Sequence, residues 1–195
     1  MSETIPTVLV VDFGAQYAQL IARRVREANV YSEIVSPDLN AGEVAALRPA
    51  GIILSGGPKS VRLDGAPEID PKIYELDIPI LGICYGAQLI AKQLGGVVSQ
   101  FEAGEYGRTS LSNSGGQLLE GQPSQQDVWM SHFDCITDVP DGFTVTASTK
   151  HAPVAAYEGG HIHAVQYHPE VSHTQYGQQT IQRWLDLAEI DRTWT

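Results

Sequence analysis

The stretch Gly82-Ile83-Cys84-Tyr85-Gly86 places a cysteine between two glycines, each two positions away, where an apolar run gives way to a helical pattern. This is the small-x-nucleophile-x-small arrangement of a nucleophile elbow. A strand ends, the chain turns sharply, and the nucleophile rises from the sheet in a cramped conformation with no room for larger neighbours. The positive end of the following helix favours a thiolate there, and its first free N–H groups can hold an oxyanion. A buried structural cysteine between turn glycines is the plainer reading of the same five residues.

A thiol nucleophile needs a base. Of His132, His151, His161, His163, His168 and His173, only His168 stands in QYHPEV, just past a strand-like run. Pro169 biases His168 toward extended backbone, where side chains at i and i+2 face one way, so Glu170 projects beside the imidazole. A carboxylate there fixes the tautomer and stabilises the protonated ring. Alone, HPE reads as a surface turn. Together with the elbow it points to Cys84–His168–Glu170. His161 and His163 alternate along one strand face without a third ligand nearby, so no metal is expected and both read as ordinary exposed histidines. Cys135 reads as a small buried residue.

LSGGPKS at 54–60 follows a buried strand, at the sheet edge where α/β sites collect. Its glycines allow close backbone approach and a main-chain N–H aimed at an oxyanion. Neither G-x-x-x-x-G-K-[ST] nor G-x-G-x-x-G is present, so phosphate and dinucleotide loops are disfavoured.

These residues need a scaffold, and hydrophobic patterning supplies one. Apolar runs at 7–12, 31–35, 51–55 and 78–83 predict strands. Helical spacing predicts helices at 15–29, at 40–47 with Asn40 as N-cap, at 66–76, and after Tyr85 to a stop at Gly95. Beyond residue 96, GGVVSQF, RTSLS, DVWMS, FTVTAST, PVAAYE and HIHAVQYH read as short, mostly antiparallel strands, one or two rejoining the main sheet. A last helix follows from Ser172, with Trp184, Leu185 and Leu187 on its buried face. The fold class is α/β: a doubly wound, mainly parallel central sheet of flavodoxin-like type with flanking helices and a smaller antiparallel sheet, in a single domain over 1–195.

Composition bounds the function. The 195 residues carry 12 basic and 23 acidic side chains, a net charge of −11, which disfavours nucleic acid as a partner. Two cysteines form no disulfide framework. The N-terminal stretch lacks a signal-peptide pattern and no run approaches the roughly 18 apolar residues of a membrane span, so a cytoplasmic protein with no membrane partner is expected.

VDFGAQYAQLIARRVRE, GIILSGGPKSV, PILGICYGAQLIAKQLGG, DVWMSH and AVQYHPEVSHTQYG resemble, in order, the class I glutamine amidotransferase domain of GMP synthetases, from Val8 to Trp194. Val171 after the glutamate separates this chain from the anthranilate branch, which carries serine there. The resemblance implies that Cys84 attacks the carboxamide of L-glutamine to form a thioester, that His168 shuttles protons, and that Glu170 orients His168. It implies an oxyanion hole from the Gly57 and Tyr85 N–H groups. Gln88, Ser131, His132, Phe133 and Asp134 would bind substrate, the last four largely through backbone.

It further implies a separate ATP pyrophosphatase domain or subunit that uses the ammonia to convert XMP to GMP, with ATP and magnesium needed only there and no cofactor here. The ending EIDRTWT resembles the junction into such a domain, favouring an excised domain over a separate subunit. Another class I amidotransferase, a partner-gated module nearly inert alone, and a cysteine peptidase on a similar sheet remain as alternatives. One position departs from the family: Phe133 stands where glycine is usual. Phenylalanine resists positive φ and crowds a substrate, so the pocket's shape there is open, with Phe133 as a wall of the site.

Overall fold

The computed structural model describes residues 4–14 and 16–195, apart from the side chain of Glu102. In chain order its elements are β1 (Thr7–Val11), α1 (Ala18–Glu27), β2 (Tyr31–Val35), α2 (Ala41–Leu47), β3 (Gly51–Leu54), a 3-10 helix (Pro71–Leu76), β4 (Ile80–Ile83), α3 (Tyr85–Gln93), β5 (Val97–Asn113), β6 (Gln125–Asp138), β7 (Thr144–Ser148), β8 (Ala156–Gly159), β9 (Ile162–Val165) and α4 (Gly177–Leu187).

Unbroken apolar runs such as GIIL and IPIL can be buried only between two layers, and β3, β4 and β9 are buried at every position. Alternate residues serve opposite layers. Val8 and Val10 share a core with Ile21, Val25 and Trp184, under α1 and α4. Leu9 and Val11 share the other with Val44, Ile73 and Leu89, under α2, the 3-10 helix and α3. Nine strands form one sheet in the order β2-β1-β3-β4-β9-β8-β7-β5-β6. The first five pair in parallel and the rest antiparallel. The antiparallel strands therefore continue the main sheet rather than standing apart, with β9 as the hinge between the two halves.

Local departures have local causes. Asn40 caps α2 as expected: its side chain accepts the Glu43 N–H at 2.9 Å while the Glu43 carboxylate accepts the Asn40 N–H at 2.8 Å. The helix expected at 66–76 is only a 3-10 turn from Pro71. Pro71 holds Asp70 extended at ψ 116°, and the Asp70 carboxylate accepts from Lys72 N and Ala41 N. The first helix starts at Ala18 rather than 15, and Ala15 lies outside the described residues. The last helix starts at Gly177 rather than 172. A Cβ on Gly177 would stand 2.0 Å from the Pro169 carbonyl oxygen, so only glycine lets α4 abut the turn that follows His168. GGVVSQF and RTSLS merge into the 17-residue β5, which shifts register against β6 between Gln100 and Glu105.

Candidate active site

The carboxyl ends of β3, β4 and β9 lie side by side, which is where a doubly wound sheet gathers its functional groups. Cys84 follows β4 at φ +52° and ψ −104°, a backbone region that side chains rarely occupy, and it caps α3. Its N–H donates to the Val165 carbonyl at 2.9 Å and the Gly86 N–H to the Ser55 carbonyl at 3.1 Å, so strands on both sides hold the corner. Gly86 must be glycine, because a Cβ there would sit 2.2 Å from the Leu54 carbonyl oxygen. Gly82 is also tight: a Cβ would meet the tip of Ile90 at 2.6 Å and the Ala87 backbone nitrogen at 3.0 Å.

Because β9 neighbours β4, the residues just past β9 reach the same corner. The His168 ring and the Cys84 side chain meet above Gly56, where an added Cβ would lie 3.0 Å from His168 Cε1 and 3.8 Å from Cys84 Cβ. Glu170 Oε1 accepts from His168 Nδ1 at 2.6 Å, leaving Nε2 for the thiol. Burial pulls the His168 pKa down, but the charge and hydrogen bonding of Cys84 and Glu170 outweigh it and hold the imidazole well above its ordinary value. The pair is fixed from outside as well. The His168 N–H donates to the Trp129 carbonyl at 2.9 Å, the Thr174 hydroxyl to the His168 carbonyl at 2.6 Å, and Arg24 Nε to the Glu170 carbonyl at 2.9 Å. Residues 169 and 170 form a turn, so the two side chains meet across it and not along the extended chain expected from Pro169.

Two clefts open on Cys84. One, of about 290 Å³, is lined by Gly57, Lys59, Gln88, Tyr106, Ser131 and Phe133, among others. The other, of about 410 Å³, reaches Tyr17 and His168. The Gly57 and Tyr85 N–H groups have no acceptor among the described residues. Gly57 is wedged so closely that a Cβ would fall 3.1 Å from both Phe13 Cβ and Tyr85 Cγ. The Ser131 carbonyl lies 3.5 Å from Cys84 Sγ. Gln88 is buried, its amide nitrogen donating to the Asp134 carbonyl at 2.8 Å.

The β6 segment differs in part from its sequence-based reading. Phe133 does not have a positive φ, so the strain expected from replacing glycine does not arise. It is 43% exposed and lines the cleft, with its ring over Gly104. The His132 ring turns inward onto Glu105. The Asp134 carboxylate accepts from Ser60 and Arg62, tying the loop after β3 to β6. His163 is 6% exposed, against the expectation of an exposed residue, because β9 is covered on both faces. Burial lowers its pKa.

Four residues around the site escaped the sequence reading: Lys59 and Tyr106 on the cleft wall, and Glu105 and Gln166 in the interior. Gln166 was the discoverable one. A polar residue two positions before His168, at the end of an apolar strand, must have a buried partner, and its Nε2 lies 3.6 Å from Cys84 Sγ.

Residues 9–187 match the family model described as glutamine amidotransferase class-I. A Nocardia farcinica protein named GMP synthase (glutamine-hydrolyzing) is 55% identical over all of this chain and 38% of its own length. A Mycobacterium leprae protein of the same name is 54% identical over 96% of this chain and 36% of its own. The chain thus spans somewhat over a third of the curated relatives it matches. Among solved structures, a Thermoplasma acidophilum protein suggested to be one subunit of a GMP synthase superposes with TM-score 0.87 at 34% identity, covering 96% of each chain. A Thermotoga maritima glutamine amidotransferase gives 0.71 at 21% identity, covering 97% of this chain and 88% of its own, a likeness of fold.

Proposed function

The chain belongs to the class-I glutamine amidotransferases, and from that premise we propose that it hydrolyses L-glutamine to glutamate and ammonia through a thioester on Cys84. The observation that carries the reading is a strained cysteine at a helix N-terminus beside an imidazole whose far nitrogen is held by a buried carboxylate. The Cys84 thiol gives its proton to His168 and the sulfur attacks the side-chain carboxamide carbon, with glutamine in the cleft walled by Gln88, Ser131 and Phe133. The tetrahedral oxyanion is held by the free N–H groups of Gly57 and Tyr85. Collapse breaks the C–N bond, and His168 returns the proton to the departing ammonia. Water, entering by the second cleft, then loses a proton to His168 and adds to the thioester carbon; collapse breaks the C–S bond, His168 returns the proton to the Cys84 sulfur, and glutamate leaves. Glu170 keeps the His168 tautomer throughout. No cofactor takes part in these steps.

The names of the relatives and the share of their length that is matched support a destination for the ammonia: an ATP pyrophosphatase part that aminates XMP to GMP and holds the ATP and magnesium. No helix among the described residues is long and apolar enough to cross a membrane. Two free cysteines suit the reducing cytoplasm, where we place the reaction.

The test is mass spectrometry after treatment with an electrophilic glutamine analogue. A single adduct on Cys84, with loss of glutamate release, is expected. Adduct elsewhere, or unchanged glutamate release with Cys84 modified, would overturn the assignment.

A further inference from the structure

Resting on that glutamine-hydrolysing reading, we propose that the buried Glu105–His132 pair is a positioning device for the glutamine pocket, acting through the Asp134 carbonyl on the Gln88 and Gln166 amides beside Cys84. The His132 ring has Nδ1 2.8 Å from the Asp134 carbonyl oxygen and Nε2 2.8 Å from Glu105 Oε1. A carbonyl can only accept. Nδ1 therefore donates to it, and the other Glu105 oxygen accepts from the Thr149 hydroxyl at 2.7 Å. Despite burial, their mutual hydrogen bond helps hold Glu105 below and His132 above their ordinary pKa ranges, so the proton between Nε2 and Oε1 sits on the ring and the pair is imidazolium and carboxylate. Its side chains are 1% and 3% exposed, where a charge persists only with partners on every side.

The consequence runs outward along hydrogen bonds. The carbonyl that His132 pins also accepts from Gln88 Nε2 at 2.8 Å, and the same nitrogen donates to Gln166 Oε1 at 3.0 Å. The two ends of an amide are not interchangeable. With Gln88 Nε2 engaged inward, its Oε1 is left to accept from a substrate carboxamide. With Gln166 Oε1 engaged, its Nε2 is the end that faces Cys84 Sγ, at 3.6 Å. An unpinned Asp134 carbonyl would let either amide turn over and present the wrong end. Glu105 and His132 pair directly across β5 and β6 just past the register shift, so the device belongs to the antiparallel half while its effect falls on the parallel half.

The test measures alkylation of Cys84 in the intact protein by two reagents: an electrophilic glutamine analogue, which needs the pocket, and iodoacetamide, which does not. Glu105→Gln is expected to raise the half-saturating analogue concentration about tenfold. Its maximal analogue rate and its iodoacetamide rate should stay within about threefold of the parent. Thr149→Val, which removes the hydroxyl that donates to Glu105 and accepts from the Ala152 N–H at 2.9 Å, should raise half-saturation about threefold, and Thr149→Ser, which keeps both bonds, should restore it. An unchanged half-saturation in Glu105→Gln overturns the proposal, as it does in Thr149→Val should the first variant not fold. A parallel fall in both alkylation rates also overturns it, by marking a pair that merely supports the fold. Failure of the analogue to label Cys84 in the parent would instead remove the glutamine reading itself.

Discussion

Two cysteine–histidine–glutamate sets lie within this chain, and their composition does not distinguish them. Cys84, His168 and Glu170 gather at the carboxyl ends of parallel strands. Cys135, His132 and Glu105 gather between antiparallel β5 and β6, with Cys135 Sγ 3.8 Å from His132 Nδ1. In both, a glutamate oxygen lies within 2.8 Å of a ring nitrogen. The difference is in what remains unengaged. His168 gives one nitrogen to its carboxylate and keeps the other for the thiol, and Cys84 opens on two clefts. His132 gives its second nitrogen to a carbonyl. Each thiol has a carbonyl acceptor, Ser131 at 3.5 Å from Cys84 and His151 at 3.2 Å from Cys135, but Cys135 is wholly buried. Reactive geometry is unfinished hydrogen bonding next to open space, and finished hydrogen bonding makes the same residues architecture.

The contrast breaks most visibly at the sulfurs. Cys84→Ala should reduce glutamate release at least about a thousandfold, since a triad acts as a unit. A parent-like rate in that variant would end the distinction. The carboxylates come next. Glu170→Gln should lower turnover roughly a hundredfold, because a carboxamide no longer holds the imidazole tautomer or its charge. Retained turnover would mean that His168 is oriented by Trp129, Thr174 and the backbone alone.

How much of this was legible differs between the two halves for a physical reason. The elbow, HPE and the parallel strands are encoded locally: small residues beside a cysteine, a proline after a histidine, unbroken apolar runs. They point to the α/β fold and to Cys84, His168 and Glu170, which the fold brings to one corner. Glu105 and His132 are 27 residues apart and meet only because β5 shifts register against β6, which no local pattern announces. The inward turn of His132 and the ordinary backbone of Phe133 were hidden for the same reason. Asp70 and Pro71 show the reverse failure: an apolar spacing suggested a helix where proline geometry and a capping carboxylate stopped it.

A smaller effect sharpens the contrast through pH. Burial alone would lower the His132 pKa, yet Cys135, Glu105 and the Asp134 carbonyl together raise it to about 9, while His132 and Thr149 lower that of Glu105 despite its burial. For a histidine raised above its unfolded value, the stabilisation is full below about pH 6.5 and is lost as pH climbs through the folded value. For the glutamate the stabilisation is lost as pH falls through its lowered folded value. Melting temperature should therefore decline from neutral pH toward about 9. His168 contributes to the same decline, so the diagnostic is the difference between parent and His132→Asn, whose decline should be shallower. Parallel curves would mean that the inner pair carries no charge.

The smallest effect is expected at Cys135, and it isolates what finished hydrogen bonding means. Its sulfur has a carbonyl acceptor and no exposed surface, so iodoacetamide on the folded protein should label Cys84 and spare Cys135 until denaturant is added. Cys135→Ala removes that hydrogen bond and a buried sulfur, which should cost about 1–2 kcal/mol of stability by chemical denaturation and change glutamate release less than about twofold. The two measurements constrain each other. If stability falls as expected and turnover does not, the cysteine packs the device without taking part in the relay to Gln88. If turnover falls instead, with analogue half-saturation rising beside it, the sulfur helps hold the His132 ring, and the inner set is then coupled to the outer one through all three of its members.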